Sequence, residues 1–224
     1  MKLRRVWQDS RVLLAESIES PLDVESNDWT ISGAPGVINS PFGKTLSFAG
    51  ATPDYLTKGN TSGYTVYNAT EGYLTVMAWV YPTTIPGATS VGVMARDGVT
   101  SGWTFYISKT DHQAYLTLKG IGLNAVNFFN TDEVILNKWT HVACVFYCVA
   151  GDASSCLGTM YTNGSSTNTD ILRSIDPAVS NTDILVGARA AGDSPFYGGI
   201  AHPMIFNGEL SAQEIENYAT GSAF

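Results

Sequence analysis

The chain has 224 residues, of which 44% are hydrophobic and 14% are charged, and its formal net charge is −8. A chain of this composition is too apolar to be disordered and is long enough to bury one large core. The acidic excess excludes a protein that mainly contacts nucleic-acid phosphates, and no apolar run reaches the about 18 residues that a membrane-spanning helix needs.

Residues 1–20 are predicted to be an arm or an edge strand that precedes the body of the protein. The arm is basic, whereas the rest of the chain is acidic, so it is either a solvated tail or an anchor that docks on an acidic neighbouring subunit. Polar residues 8–11 interrupt any apolar core of a secretory signal. The candidate anchoring residues are Lys2, Arg4, Arg5, Trp7 and Arg11.

Residues 21–224 are predicted to form one β domain that begins with a loop-rich stretch, 21–44. Asn163-Gly164 and Asn207-Gly208 are dipeptides typical of tight turns with positive φ. Short apolar segments between turn residues predict strands of a sandwich at 44–50, 54–59, 73–82, 91–96, 102–108, 114–119, 121–129, 139–149, 157–162, 183–187 and 198–206.

One short helix is predicted to start at Ser211, near the C-terminus. Ser211 and Glu214 have the spacing of a capping box, and Leu210 and Ile215 occupy the hydrophobic staple positions. The helix is expected to close one end of the sandwich.

The three cysteines leave alternatives open. Cys148 and Cys156 flank a predicted turn and could form a disulfide, whereas free buried thiols are the other interpretation, and Cys144 is left over in both. No Cys/His cluster has metal-binding spacing, so no zinc site is predicted.

Four segments resemble one known family in their order and spacing: LTVMAWV (74–80), WTHVACVFY (139–147), MYTNG (160–164) and the closing run LVGARAAGDSPFYGGIAHPMIFNGELSAQEI. Together they resemble the laminin-G-like, concanavalin A-like lectin/glucanase jelly-roll family, from residue 27 to the C-terminus. The resemblance implies an all-β, antiparallel two-sheet jelly-roll sandwich with one short C-terminal helix. Trp79 and Trp139 lie in predicted core strands, so we expect both to pack in the core.

The resemblance also raises the question of calcium. Family members that bind calcium use acidic groups near the closing strand, where this chain has Ala201 and His202. Because Ca²⁺ takes about six to eight oxygen ligands, this departure disfavours calcium. We expect no metal and no other cofactor.

Enzymes of the wider fold hydrolyse glycans with carboxylates at alternate positions of one strand. No predicted central strand has that pattern: Asp132 and Glu133 are adjacent, and Glu214 is used as a helix cap. No Gly-x-Ser-x-Gly nucleophile motif is present either. The chain is therefore not expected to be an enzyme.

Two groups of side chains are candidate binding sites. Trp103 alternates with Phe105 and Ile107, which predicts a buried face on that strand and a polar opposite face. If this polar face coincides with that of the next strand, it forms a candidate glycan face; an ordinary solvated surface is the alternative. The candidate glycan face comprises Thr104, Tyr106, Ser108, Tyr115, Thr117 and Lys119. A candidate loop site comprises Arg96, Asp97, Arg189 and Asp193.

These features favour a non-catalytic structural or binding module on a larger assembly. We expect a virion-surface protein, either a phage capsid decoration or a tail-associated protein, anchored by its arm and able to adhere to glycans. Its expected partners are protein subunits, including copies of itself in a homo-oligomer, and a glycan. The first alternative is a secreted, extracellular carbohydrate-binding lectin module, and the second is a glycoside hydrolase or lyase.

Overall fold

The computed structural model describes residues 11–15, 28–50, 54–59, 72–97, 101–119, 125–148, 156–173, 182–189 and 193–222. Within these ranges the chain forms strands and one α-helix. The strands are β1 (Val12–Ala15), β2 (Trp29–Ser32), β3 (Gly36–Ser40), β4 (Gly43–Ala49), β5 (Tyr55–Lys58), β6 (Gly72–Pro82), β7 (Val91–Asp97), β8 (Gly102–Ile107), β9 (Gln113–Lys119), β10 (Ala125–Glu133), β11 (Thr140–Cys148), β12 (Cys156–Thr162), β13 (Ser165–Arg173), β14 (Ile184–Val186) and β15 (Tyr197–Phe206), and the helix is α1 (Ala212–Ala219).

The strands form two antiparallel sheets that pack face to face. Sheet I has the order β13-β12-β11-β6-β15-β4-β3, and β1 pairs with β15 beyond the end of β4. Sheet II has the order β10-β9-β8-β7-β14-β5-β2. The predicted jelly-roll sandwich is confirmed, and neighbours that are distant in sequence, such as β6 and β15, hold the N- and C-terminal halves together.

The core lies between the sheets because apolar residues alternate along the central strands. In β6 the inward residues Leu74, Val76, Ala78 and Val80 are all fully buried. In β8 the inward residues Trp103, Phe105 and Ile107 are at most 1% exposed, which confirms the predicted burial of that face. Removal of this apolar area from water is the main stabilising contribution to the fold.

Trp79 and Trp139 do not pack in this core, contrary to the sequence-based prediction. Since the neighbours of Trp79 in β6 point toward sheet II, the strand's alternation turns Trp79 to the outer face of sheet I. Trp139 immediately precedes β11 and lies over Gly199 on the same outer face. Both indoles are half-buried.

Helix α1 covers another part of the outer face of sheet I. The predicted capping box is confirmed, because Glu214 N–H donates to the Ser211 hydroxyl and Ser211 N–H donates to the Glu214 carboxylate. Ile215 and Tyr218 pack on outward residues of sheet I, which include Met77, Met204 and Phe206. The helix therefore leaves sheet II untouched.

The strand boundaries differ from the predictions in three regions. Residues 29–40, expected to be loop, contain β2 and β3, and β13 has no predicted counterpart. Strand β10 ends four residues later than predicted, at Glu133, because its polar residues still pair with β9: Ala114 N–H donates to the Asn130 side chain at 2.8 Å. Asn163-Gly164 forms the expected turn with positive φ at both residues, but Asn207-Gly208 does not.

Cys148 and Cys156 form a disulfide between the directly paired ends of β11 and β12. Of the two alternatives left open by the sequence, the structure therefore has the disulfide and not two free thiols. Cys144 is free and fully buried, and burial raises the pKa of its thiol.

No helix in the described part of the chain is long and apolar enough to cross a lipid bilayer.

Candidate ligand-binding face

Strands β8, β9 and β10 bring outward side chains of sheet II into register. Tyr106 lies opposite Tyr115, which in turn lies opposite Phe129. One step along the strands, Thr117 lies between Thr104 and Asn127. The two polar faces considered in the sequence therefore coincide, and β10 extends the surface by a third strand.

Three aromatic rings form a continuous row across these strands. The ring centroids of Tyr106 and Tyr115 are 5.4 Å apart and those of Tyr115 and Phe129 are 5.3 Å apart, with 23° between the planes in each pair. The guanidinium carbon of Arg189 lies 5.6 Å from the Tyr106 centroid. Neighbours thus cover both ring faces of each tyrosine, and the row offers ring edges and hydroxyl groups to solvent rather than free faces.

The hydroxyl of Tyr115 is fixed by a carboxylate at the β8–β9 hairpin. It donates to Asp111 Oδ2 at 2.7 Å, and the other carboxylate oxygen accepts from Gln113 N–H at 3.1 Å. Burial raises the pKa of Tyr115 to about 12, and the hydrogen bond to Asp111 adds to the effect. Partial burial acts to raise the pKa of Asp111, but its hydrogen bonds outweigh this and lower it. The phenol is a fixed neutral donor beside an ionised carboxylate.

Polar groups continue along the face beside the aromatic row. Thr117 Oγ1 donates to Asn127 Oδ1 at 2.6 Å. Further toward the end of the strands, Lys119 forms an ion pair with Asp97. Hydroxyl, amide and charged groups are therefore arranged on one half-exposed surface.

Thr104 and Ser108 contribute little to that surface, although the sequence grouped them with it. Thr104 is 1% exposed, since it occupies an interior strand between Ala95 and Thr117. Ser108 is 8% exposed because it is folded into the hairpin turn, where its hydroxyl accepts from Thr110 N–H at 3.2 Å. The accessible part of the candidate glycan face consists of Tyr106, Tyr115, Thr117 and Lys119, extended by Phe129 and Asn127.

The four residues of the candidate loop site are not brought together. Arg96 and Asp97 are adjacent on β7 and point to opposite faces: Arg96 is buried toward Thr182, while Asp97 faces outward to Lys119. Burial lowers the pKa of Arg96. Arg189 and Asp193 share a backbone hydrogen bond of 2.9 Å at the other end of β7, about 16 Å along the strand.

Of the candidate anchoring residues, Lys2, Arg4, Arg5 and Trp7 lie outside the described residues. Arg11 is bound within the chain itself: it donates to the Glu209 carbonyl at 2.9 Å and forms an ion pair with Glu214. Its own carbonyl accepts from Asn207 N–H at 2.7 Å. Arg11 therefore fixes the start of the described chain beside helix α1, on the side of sheet I.

An aromatic pair also lies on the outer face of sheet I, and no pattern in the sequence indicated it. The ring centroids of Tyr81 and Trp139 are 5.3 Å apart, and Trp139 Nε1 donates to the Asn39 carbonyl at 3.1 Å. A Cβ atom at Gly199 would lie 2.8 Å from the indole. The missing side chain at Gly199 is what allows the indole to lie against the sheet.

The carboxylates of the described residues are mostly engaged in structural contacts. Asp54 is 2% exposed and accepts from Ala34 N–H at 2.9 Å and from Ala49 N–H at 3.0 Å, while Glu214 caps α1. No group of three or more His, Cys, Asp or Glu side chains in the described ranges could hold a metal ion. The absence of a calcium site stays a prediction.

The comparisons with known proteins identify a family and a fold. The family described as the concanavalin A-like lectin/glucanases superfamily matches residues 54–216. Among solved structures, the binding domain of Paraclostridial Mosquitocidal Protein 1 is similar with a TM-score of 0.71 and 11% identity, over 99% of this chain and 53% of that one. No curated protein sequence matches significantly.

Two further structures show the same fold. Domain 4 of AbnA, a GH43 extracellular arabinanase from Geobacillus stearothermophilus in complex with arabinotriose, has a TM-score of 0.63 and 16% identity, over 92% of this chain and 98% of that one. The botulinum neurotoxin serotype G binding domain has a TM-score of 0.64 and 15% identity, over 87% of this chain and 46% of that one. The chain thus spans about half of these toxin binding domains and nearly all of the arabinanase domain.

Proposed function

We propose, because the chain belongs to the concanavalin A-like lectin/glucanase superfamily, that it is a non-catalytic binding module whose sheet II face binds glycans. The observation that carries this proposal is the open row of Tyr106, Tyr115 and Phe129 with polar groups along one side. The other outer face, on sheet I, is partly covered by helix α1. Sheet II presents an accessible polar surface that helix α1 does not cover.

Binding on this face depends on hydrogen bonds more than on ring stacking. Since the ring faces of both tyrosines are covered, a sugar would contact the edges of the phenol rings. It would also contact the hydroxyl of Thr117, the amide of Asn127 and the ammonium of Lys119. Sugar hydroxyls both donate and accept, so they suit such a mixture of fixed donors and acceptors. The complex of the similar arabinanase domain with arabinotriose supports this class of ligand.

The state of the carboxylates supports a binding rather than a hydrolytic function. On the sheet II face, Asp97 is paired with Lys119, and Asp111 is held by Tyr115 with a lowered pKa. A general acid for glycoside hydrolysis needs the opposite, a carboxyl group whose pKa is raised. The pKa of Asp111 is shifted in the other direction.

A glycan array with single-residue variants tests the glycan proposal. We expect weak but selective binding, and at least about a tenfold loss in Tyr106→Ala and Tyr115→Ala, equal to about 1.4 kcal/mol. Tyr147→Ala is the matched control, because Tyr147 belongs to an analogous stacked pair with Tyr73 on sheet I, with centroids 4.9 Å apart. Binding that Tyr147→Ala weakens as much as the other two, or no binding to any glycan, would contradict the proposal.

We further propose that the basic arm attaches this module to a larger assembly, such as a virion surface, as one subunit of a homo-oligomer. Arg11 and β1 fix the point from which the arm extends on the side of sheet I, opposite the proposed glycan face. An anchor and a ligand can therefore be held on opposite sides of one sandwich. The disulfide favours an oxidising location, such as a virion or cell exterior.

Analytical ultracentrifugation of the full chain and of a deletion of residues 1–10 tests the arm. We expect an oligomer for the full chain, and a monomer with unchanged circular dichroism for the deletion. Charge reversal of Lys2, Arg4 and Arg5 should have the same effect as the deletion. A full chain that stays monomeric, or a deletion that assembles equally well, would rule out anchoring by the arm.

A further inference from the structure

Arg189 places a guanidinium group against the proposed glycan face without a carboxylate partner among the described residues. Its guanidinium carbon lies 5.6 Å from the Tyr106 ring centroid. Its Nε is buried and has no hydrogen-bond partner in the described part of the structure. Burial of a charged donor without an acceptor is unfavourable. An anion from outside the described residues would therefore stabilise the Arg189 guanidinium.

The local backbone holds Arg189 in this position. Gly92 lies opposite Tyr106 in the register, and a Cβ atom there would be 2.6 Å from Arg189 N. Because glycine has no side chain, the 188–189 segment can cross β7 and lay the guanidinium on Tyr106. Arg189 N–H donates to the Asp193 carbonyl at 2.9 Å, while Asp193 Oδ1 accepts from Ser194 Oγ at 3.4 Å.

A second buried polar atom on the same face is also unpaired. Thr104 is 1% exposed, lies two positions from Tyr106 on β8, and its Oγ1 has no hydrogen-bond partner among the described residues. The other charges nearby are satisfied, since Lys119 is paired with Asp97 and Asp111 accepts from Tyr115. Among the described residues of this face, Arg189 is thus a cation without an ion-pair partner.

The shape of the guanidinium group defines the chemistry of that ligand. A planar fork of donors matches two oxygens of a carboxylate or a sulfate, whereas a neutral sugar hydroxyl uses only part of it. Building on the proposed glycan-binding function, we infer that the glycan carries an acidic group and that Arg189 binds this group. The neutral part of the glycan then lies along Tyr115, Thr117 and Lys119.

Paired glycans test this inference: the same oligosaccharide with and without a sialic acid, a uronic acid or a sulfate. We expect the acidic member of a pair to bind at least about tenfold more tightly, in line with the strength of hydrogen bonds to charged groups. Arg189→Gln should remove this preference, and Arg189→Lys should keep only part of it because the fork is lost. Lys138→Gln makes the same change of charge at an exposed residue away from the face and should have no effect.

Each other outcome overturns the inference in a distinguishable way. Equal binding of both members of each pair, with no effect of Arg189→Gln, contradicts the inference that the glycan is acidic but leaves the glycan-binding proposal standing. No binding to any glycan contradicts both the inference and the proposed function. Inorganic sulfate that competes as strongly as the acidic glycan would show a simple anion site instead of a glycan subsite. Arg189→Lys provides the decisive comparison if circular dichroism shows that Arg189→Gln does not fold.

Discussion

His141 illustrates how a single residue couples the stability of this protein to pH. Its side chain is 1% exposed and lies edge-on to Trp79, with ring centroids 5.5 Å apart. Burial lowers its pKa from 6.5 to about 3, and burial also lowers the pKa of His202 to about 4. Both imidazoles are therefore neutral in the folded protein at pH values where the unfolded chain is already protonated.

The free energy of unfolding should fall as the pH is lowered through the window between 6.5 and about 3. In this window the unfolded state binds protons that the folded state excludes, so acid favours unfolding. Urea titrations at about pH 7.5 and about pH 5 should show a loss of about 2 kcal/mol from His141 alone. His141→Gln should reduce the acid-induced loss by that amount, and His202→Gln should reduce it as well. Variants that retain the full loss would contradict this explanation.

At the level of elements, sequence patterns predict those strands whose apolar residues alternate. They miss β13, whose Ser-Ser-Thr-Asn start is polar, because that strand depends on pairing with β12 and on a bond from Asn168 to the Phe129 carbonyl at 2.9 Å. Parity along β8 and β9 was enough to suggest that Tyr106 and Tyr115 share a face. The positions of Phe129 and Arg189 could not be predicted, since they depend on long-range register and on the missing side chain at Gly92.

At the level of elements, we expect the disulfide between β11 and β12 to stabilise the fold. It closes a loop of sequence separation 8 where the two paired strands end. Loss of the cross-link raises the conformational entropy of the unfolded chain. The double variant Cys148→Ser/Cys156→Ser should therefore lose about 2 kcal/mol of unfolding free energy. Dithiothreitol should destabilise the wild-type protein to a similar extent and leave the double variant unchanged. Equal sensitivity of both proteins to the reductant would contradict this explanation, because the double variant has no disulfide within the chain to reduce.

At the scale of the whole molecule, the two outer faces of the sandwich differ in what covers them. The outer face of sheet I is occupied by helix α1 and by Phe42, whose ring lies 5.2 Å from that of Trp79. Two half-exposed aromatic pairs also lie on this face, Tyr81 with Trp139 and Tyr73 with Tyr147. The outer face of sheet II carries the open aromatic row and its polar neighbours. This asymmetry agrees with the proposed attachment on one side and the proposed glycan binding on the other.

The most direct test of this account is a backbone amide chemical-shift map recorded during titration with a glycan that the protein binds. We expect the shifts to change in β8, β9 and β10, with the largest changes around Tyr106, Tyr115 and Arg189, and to stay constant on sheet I. Changes centred on Tyr81 and Trp139 instead would contradict the account, because they would place the ligand on the opposite face of the sandwich.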